Sequence, residues 1–394
     1  MTADDLAAPT PAAPPQTGWR RPIGALAVAL SCLALAAGFA RWVDPFALWS
    51  DAPLVEASVD PEDRERFVVP MRLRREHAHT VLVGSSRVIQ GMRIEEGLRD
   101  GILNGGLRAA RIAECVAVIE AALRNPSVER IVWGLDFQAF SKQTLRGEAL
   151  RVTALRNALS AGEASFLRDA LLSNEALTQS FAALRRRARL RAGGTDWRAR
   201  RAPWSASTIA AGLAEREQRA RARSGERRVG MRFQRLFEFE YDPDVFQTYR
   251  RGLALARAAG VAVDVIALPL SGYDVEALRL IGARDDLDRW RHELAASGPF
   301  LDYSASTLAS DPDLFSDVRH FAPPLGHVML RRALGVGCDG CGERGLALYD
   351  AGRRVRSPEG LAPLPPPLPA SLPHVAQTRR IYSSWLATHP DAKR

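Results

Sequence analysis

From Pro22 to Ala40 the chain carries no charged side chain. As a helix rising ~1.5 Å per residue, this stretch spans roughly 28 Å, the thickness of a bilayer's hydrocarbon core. Arg20 and Arg21 precede it, and only Arg41 follows before Asp44, Asp51, Glu56 and Asp60. That asymmetry predicts a single-pass helix over 22–40 with residues 1–21 as a cytoplasmic, disordered tail and everything beyond on the far side of the membrane. A cleaved signal peptide competes, since Gly38-Phe39-Ala40 offers small residues at a cleavage spacing, but such peptides carry a shorter apolar run of about 7 to 15 residues. A buried core helix fits poorly, because the run opens the chain behind a Pro- and Ala-rich segment, Met1 to Gln16. Both leading readings export the rest of the chain.

The 394 residues allow two or three domains, and 46% hydrophobic with 25% charged residues excludes wholesale disorder. A net charge of +9 would suggest a nucleic-acid or membrane-surface partner if it were spread evenly. It is concentrated instead. Sixteen arginines lie between Phe181 and Arg235 against Asp196, Glu215, Glu217 and Glu226, so this segment carries +12 and the remainder −3. The four cysteines, Cys32, Cys115, Cys338 and Cys341, are too few and too scattered for a disulfide framework or a four-thiolate zinc site.

After a connecting region (41–78), Thr80 to Gly84, Gly101 to Asn104 and Arg130 to Phe137 read as short buried strands. A helix is predicted over Leu107 to Asn125, with Ile112, Cys115, Val116, Ile119, Ala122 and Leu123 on one face and Pro126 as the stop. Strand and helix alternating at this spacing predict an α/β fold, a three-layer sandwich with a parallel sheet. The pattern breaks at 141–240, an Arg-rich helical insertion, and resumes with a helix ending at Gly260, a strand over Val261 to Leu268, a helical stretch from Arg279 to Ala296 and a strand over Phe300 to Ser304. The α/β domain therefore comprises 79–140 and 241–335. Residues 336–394 read as a Pro-rich tail in which a short amphipathic segment, Arg380 to Leu386, docks back on the body.

Two features carry chemistry. Gly84-Ser85-Ser86-Arg87 lies at the C-terminal end of the first strand, where open α/β sheets bind ligands, and a serine on such a turn sits near backbone N–H groups able to stabilise an oxyanion. Ordinary turn chemistry would also account for it. Asp317-Val-Arg-His320, ahead of Phe321 and an apolar helix start, offers an imidazole with an aspartate placed to orient it; capping by Asp317 and a surface histidine are the bland alternative.

Taken together, Gly-Ser-Ser after the first strand and Asp-x-x-His-Phe late in the domain resemble the first and last blocks of the SGNH (GDSL-like) hydrolase family, especially its membrane-anchored bacterial envelope members. The resemblance covers about His79 to Asp136 and Val261 to Leu330. It implies a flavodoxin-like three-layer fold, a nucleophile at Ser86, a general base at His320 and an orienting acid at Asp317. It further implies an esterase or O-acyltransferase that acts on acyl esters, acetyl foremost, of an envelope or exported polysaccharide. The implied location is the bacterial inner membrane with the catalytic domain periplasmic, beside a membrane acyl-transfer or export protein.

Two departures bear on activity. Where the family has an asparagine followed by an oxyanion-hole glycine, this chain has Asn104-Gly-Gly-Leu-Arg-Ala109, leaving Gly105, Gly106 or Ala109 as donor. Where the family has Gly-x-Asn-Asp, this chain has Gly134-Leu-Asp136, a carboxylate in place of an amide donor. An ionised Asp136 would repel the tetrahedral intermediate unless it is protonated, turned away or used otherwise. A non-catalytic protein of the same fold, binding glycan or a membrane partner, is the alternative that Asp136 favours.

No metal or organic cofactor is expected. Cys338-Asp-Gly-Cys341 is expected to close a local disulfide in an oxidising compartment. His77-Ala-His79 lacks a third ligand and reads as solvated. The run Arg185 to Arg191, with Arg198, Arg200 and Arg201, reads as a solvated helical face or as a surface for anionic lipid headgroups or acidic polysaccharide; nucleic acid is not an expected partner outside the cytoplasm.

Overall fold

The computed structural model describes residues 20–46, 48–49, 61–75, 77–94, 98, 101–142, 148–191 and 236–389. The described residues divide into two compact units, one falling within Met1–Ser58 and Glu163–Ala188 and the other within Val59–Gly162 and Arg189–Arg394.

In the larger unit, α2 (Pro61–Arg75) precedes β1 (Thr80–Val83), α3 (Ser86–Gly91), β2 (Ile102–Asn104), α4 (Ile112–Ala122) and β3 (Arg130–Leu135). After the described part of the insertion come β4 (Ala262–Ala267) and β5 (Phe300–Asp302). With β6 (Arg353–Val355) from the tail, the sheet order is β2-β1-β3-β4-β5-β6, and every neighbouring pair is parallel except β5 and β6. Strand residues alternate between two cores, as a pleat of period two requires. Val81, Val83, Ile131, Trp133 and Val265 face one core, while Leu82, Val132 and Ile266 face the other. The first core is closed by α4 together with the helices Pro243–Ala258 and Arg284–Ser297, and the second by α3 and the helix Pro323–Leu334. Helices thus cover both faces and make three layers.

Sheet residues are almost continuously apolar because both faces are buried. Trp133 and Trp290, both at 0% exposure, fill the first core, each aromatic contributing several kcal/mol at ~25 cal/mol per Å² of apolar surface removed from water.

The connecting region and the tail belong to this body more than composition suggested. Val69 and Leu73 of α2 enter the first core. The tail supplies a helix, Gly342–Ala351, and the antiparallel strand β6 (Arg353–Val355), then a helix, Pro373–Thr388, whose Trp385 packs with Phe237 and Ala277. Arg291 holds the proline-rich stretch by donating to the Ala362 carbonyl at 2.6 Å, and Cys338 and Cys341 form a disulfide. The predicted helix from Arg279 is two helices, Gly272–Leu280 and Arg284–Ser297, because a turn at 281–283 interrupts the first.

Part of the expected insertion likewise joins the body. The helix α5 (Glu148–Ser160) buries Leu155 and Leu159 in the first core. Residues 192–235, with Arg198, Arg200 and Arg201, lie outside the described residues.

In the smaller unit, α1 (Arg20–Val43) associates with α6 (Glu163–Leu171) and with α7 (Asn174–Arg191) as far as residue 188. Within α1, Pro22–Val43 has a mean hydropathy of 2.2 over its most apolar window and is long and apolar enough to cross a membrane. Ser31, its one hydroxyl, donates to the Ala27 carbonyl at 2.8 Å, so the helix satisfies its own polar group. Asp44 ends it at φ 48°, accepting from the backbone N–H of Leu48 at 2.7 Å and of Trp49 at 3.0 Å.

Candidate active site

After β1 the chain crosses to β2 on one side, then returns past β1 to β3 on the other. At such a reversal the connections leave in opposite directions and open a crevice beyond the carboxyl ends of the strands. Ser86 follows β1 and Asp136 follows β3, so the topology brings both to this crevice.

Ser85 is the N-cap of α3, its hydroxyl accepting from the Arg87 N–H at 3.2 Å, and Ser86 is the first helical residue. Gly84 is needed for this turn. A Cβ there would lie 2.4 Å from Val88 Cγ2 and 2.7 Å from the Gly134 carbonyl oxygen, the latter backbone that cannot swing aside. Gly91, at the other end of α3, leaves room for the buried Phe321 ring, which would meet a Cβ at 2.0 Å. That contact seats the loop bearing His320 against the helix bearing Ser86.

The Ser86 Oγ lies 2.9 Å from His320 Nε2, and His320 Nδ1 lies 2.9 and 3.0 Å from the two Asp317 oxygens. The network assigns the tautomer: Nδ1–H donates to Asp317, so Nε2 accepts from the Ser86 hydroxyl. Asp317 also accepts from the backbone N–H groups of Arg319 at 2.8 Å and His320 at 2.9 Å. Burial pushes its carboxyl up, but the His320 hydrogen bond and charge, with the two backbone donors, outweigh this and hold it well below the usual carboxylate range. The group stays ionised behind the imidazole. Ser86, His320 and Asp317, with 234 positions between Ser86 and His320, are therefore brought together in the order expected of a nucleophile, base and orienting acid.

Of the oxyanion-hole candidates, the Gly105 N–H donates to the Leu82 carbonyl at 2.8 Å and the Gly106 N–H to Asn104 Oδ1 at 3.0 Å. Both are spent on local structure. Asn104 is itself structural, its amide reaching the carbonyls of Val88 and Met92 at 3.3 Å each. Ala109 differs. It lines the same cavity as Ser86 and His320 and adopts φ 51°, a left-handed conformation costing a non-glycine residue on the order of 1 kcal/mol. Among the described residues neither its N–H nor that of Ser86 has an acceptor.

Asp136 does not face the crevice as an uncompensated charge. Its Oδ2 accepts from the Ser85 hydroxyl, and its Oδ1 lies 3.1 Å from Arg87 Nε, a charge contact without the alignment of a hydrogen bond. Arg87, 5% exposed, also donates to Asp274 at 2.8 Å and to the Pro269 carbonyl at 3.0 Å. Gln138 continues the chain of contacts, donating to Asp274 at 2.8 Å and accepting from Arg319. Asp136 and Asp274, with Arg87 and Arg319, thus form one polar network beside Ser86. Sequence reasoning gave no role to Arg87, Asp274, Gln138 or Arg319, although Arg87 and Arg319 stand next to Ser86 and His320 in the two motifs.

The cavity measures about 160 Å³, with Ala109, Ala110 and Ala139 among its apolar walls and Arg319 beside His320. His77 and His79 are exposed, with His79 Nδ1 3.0 Å from the Thr80 hydroxyl, and no cluster suited to a metal ion occurs among the described residues. No protein-family model matches the chain, and no curated protein matches it.

Proposed function

We propose that this protein is a membrane-anchored serine esterase or O-acyltransferase of SGNH-like organisation, acting on acyl esters of an envelope or exported polysaccharide. The observation that carries this reading is the Ser86–His320–Asp317 relay, with hydrogen bonds of 2.9 Å on both sides of the imidazole.

In the proposed reaction, the Ser86 Oγ attacks the acyl carbonyl while His320 Nε2 takes the hydroxyl proton, and Asp317 stabilises the imidazolium. The N–H groups of Ser86 and Ala109 receive the oxyanion. Collapse breaks the ester C–O bond, and His320 returns its proton to the departing alkoxide. Water or a sugar hydroxyl, deprotonated by His320, then attacks the acyl-enzyme and restores Ser86. The small cavity suits a short acyl group, acetyl being the simplest. The apolar helix α1 supports anchorage, and the arginines at its start favour a cytoplasmic N-terminus with the catalytic unit in the periplasm.

The second reading, a non-catalytic binder of glycan or of a membrane acyl-transfer or export protein, rests on Asp136 standing where an amide donor would help. Its pairing with Arg87 weakens that objection. Intact-protein mass after incubation with an activated acetyl ester separates the two. An acetyl adduct in the wild type, absent from Ser86→Ala, supports covalent catalysis; absence of any adduct from both rejects it.

A further inference from the structure

The smaller unit holds a surface that the proposed reaction does not use. Along α1 every residue from Pro22 to Leu35 is exposed, whereas burial begins at Ala36 and is complete at Ala40 and Val43. The cover is the α6–α7 hairpin. Phe181 of α7 packs on Phe39 with ring centroids 5.0 Å apart, and Ala183 and Leu184 pack with Phe39 and Val43. The bare stretch is only about 20 Å long at 1.5 Å per residue, short of a ~30 Å hydrocarbon core. A span of ~20 residues counted from Pro22 ends near Arg41. The missing third is the part that the hairpin covers, so whatever packs on residues 36–43 shares the depth of the outer leaflet.

The hairpin's outer surface fits that depth. Outside α1, the described residues include three exposed large apolar side chains, and two of them, Leu172 and Phe181, belong to the hairpin. Phe181 is 55% exposed despite its contact with Phe39, and Trp42, whose ring centroid lies 6.5 Å from that of Phe39, is 58% exposed. Aromatic side chains grouped at one level are what a membrane–water boundary selects. The run Arg185-Arg-Arg-Ala-Arg begins one residue after Leu184, and Arg185 is exposed.

We infer that the α6–α7 hairpin is an interfacial membrane element, with Leu172 and Phe181 entering the outer leaflet of the bilayer that α1 spans and the arginines from Arg185 meeting its anionic headgroups. The inference rests on the anchor reading of α1. Its energetics combine buried apolar area with attraction of basic side chains to anionic lipid, neither sufficient alone for stable attachment of so short an element.

The test uses the full chain in phosphatidylcholine vesicles containing 30% phosphatidylglycerol, with an environment-sensitive fluorophore on one cysteine at a time. Cys115 is buried, which holds its thiol protonated, and Cys338 and Cys341 are disulfide-bonded, so native Cys32 in α1 labels alone. In a Cys32→Ser background the label moves to Leu172→Cys, Phe181→Cys or, as a water-exposed control, Leu346→Cys. Labels at 172 and 181 should be quenched by shallow spin-labelled lipid and shielded from iodide, and the label at 346 should behave oppositely. Arg185→Gln with Arg187→Gln should weaken lipid contact at 172 and 181 by ~5-fold per arginine. Iodide quenching at 172 and 181 equal to that at 346, with Cys32 still quenched by lipid, overturns the hairpin inference alone. Shielding from iodide without lipid quenching means protein, such as a second copy, covers the hairpin, which also overturns it. Failure of lipid to quench Cys32 removes the anchor reading and the inference together.

Discussion

Acid should loosen the α/β unit through one buried imidazole. His327 lies on the helix Pro323–Leu334 at 1% exposure. Burial, assisted by the positive charges of Arg93 and Arg331, lowers its pKa to about 3. An unfolded histidine titrates near 6.5, so between these values the unfolded chain binds more protons than the folded one. Stability contributed by this group is complete above about pH 6.5 and is lost as pH falls toward 3. At ~1.4 kcal/mol per unit, roughly 2.5 to 3 kcal/mol is gone by pH 4.5. The helix begins three residues after His320, and its Gly326 abuts Gly91 at the end of α3, so loosening it disturbs both sides of the relay. Urea unfolding of the full chain in detergent, followed by tryptophan fluorescence at pH 7 and pH 4.5, measures the loss. His327→Leu should lose about 2.5 kcal/mol less than the wild type between those pH values. His374, also held low by burial, titrates in both proteins and cancels in the difference. Asp317, whose pKa is likewise held low, contributes stability that is lost only below about pH 4, outside the window. Equal losses in wild type and variant would refute the reasoning.

Other expectations follow from the same geometry. Asp317→Asn should lower acyl-enzyme formation by about 10²- to 10⁴-fold, because an amide favours the wrong imidazole tautomer; the 39% exposure of the carboxylate places the loss toward the lower figure. Gly84→Ala should destabilise by about 1–3 kcal/mol and displace Ser86, checked by urea midpoint and adduct yield, since its Cβ would overlap a backbone oxygen. Asp136→Asn should leave the acylation rate within a few-fold of wild type, measured by adduct formation against time. A gain of about 10²-fold or more would show instead that an unscreened Asp136 had been disabling the oxyanion hole.

The sheet was legible because each central strand is a short apolar run closed by a turn residue, and Val81, Leu82 and Val83 are buried whichever face they take. The Arg353–Val355 strand was not: two of its three residues are exposed arginines at a sheet edge, a pattern that local periodicity cannot separate from loop. Ser86 and His320 were readable from their strand-end and helix-start contexts. The partner of Asp136 was not, because Arg87 reaches Asp274, 187 positions away, and only the sheet order makes them neighbours. Likewise, the composition that marked 141–240 as one insertion could not reveal that α5 joins the main core while α6 and α7 associate with α1.

The network also reverses which residue beside Ser86 matters most. From the sequence, Asp136 is the anomaly and Arg87 an ordinary turn residue. In the fold, Arg87 is the shared counter-charge of two carboxylates, one of which, Asp274, has 0% side-chain exposure. Removing Asp136 still leaves Arg87 paired with Asp274, at a cost of about 1–2 kcal/mol for one lost charged contact. Removing Arg87 strands two carboxylates at once, and breaking a buried pair from one side costs about 3–5 kcal/mol. Arg87→Met should therefore destabilise by about 1 kcal/mol or more beyond Asp136→Asn, and Arg87→Met combined with Asp136→Asn should recover part of the loss, since one stranded charge has gone. Urea unfolding of the three variants tests this order. Equal or reversed costs for the two single variants would mean that Asp136, and not the arginine, holds the crevice together, and that its charge is not being screened by Arg87.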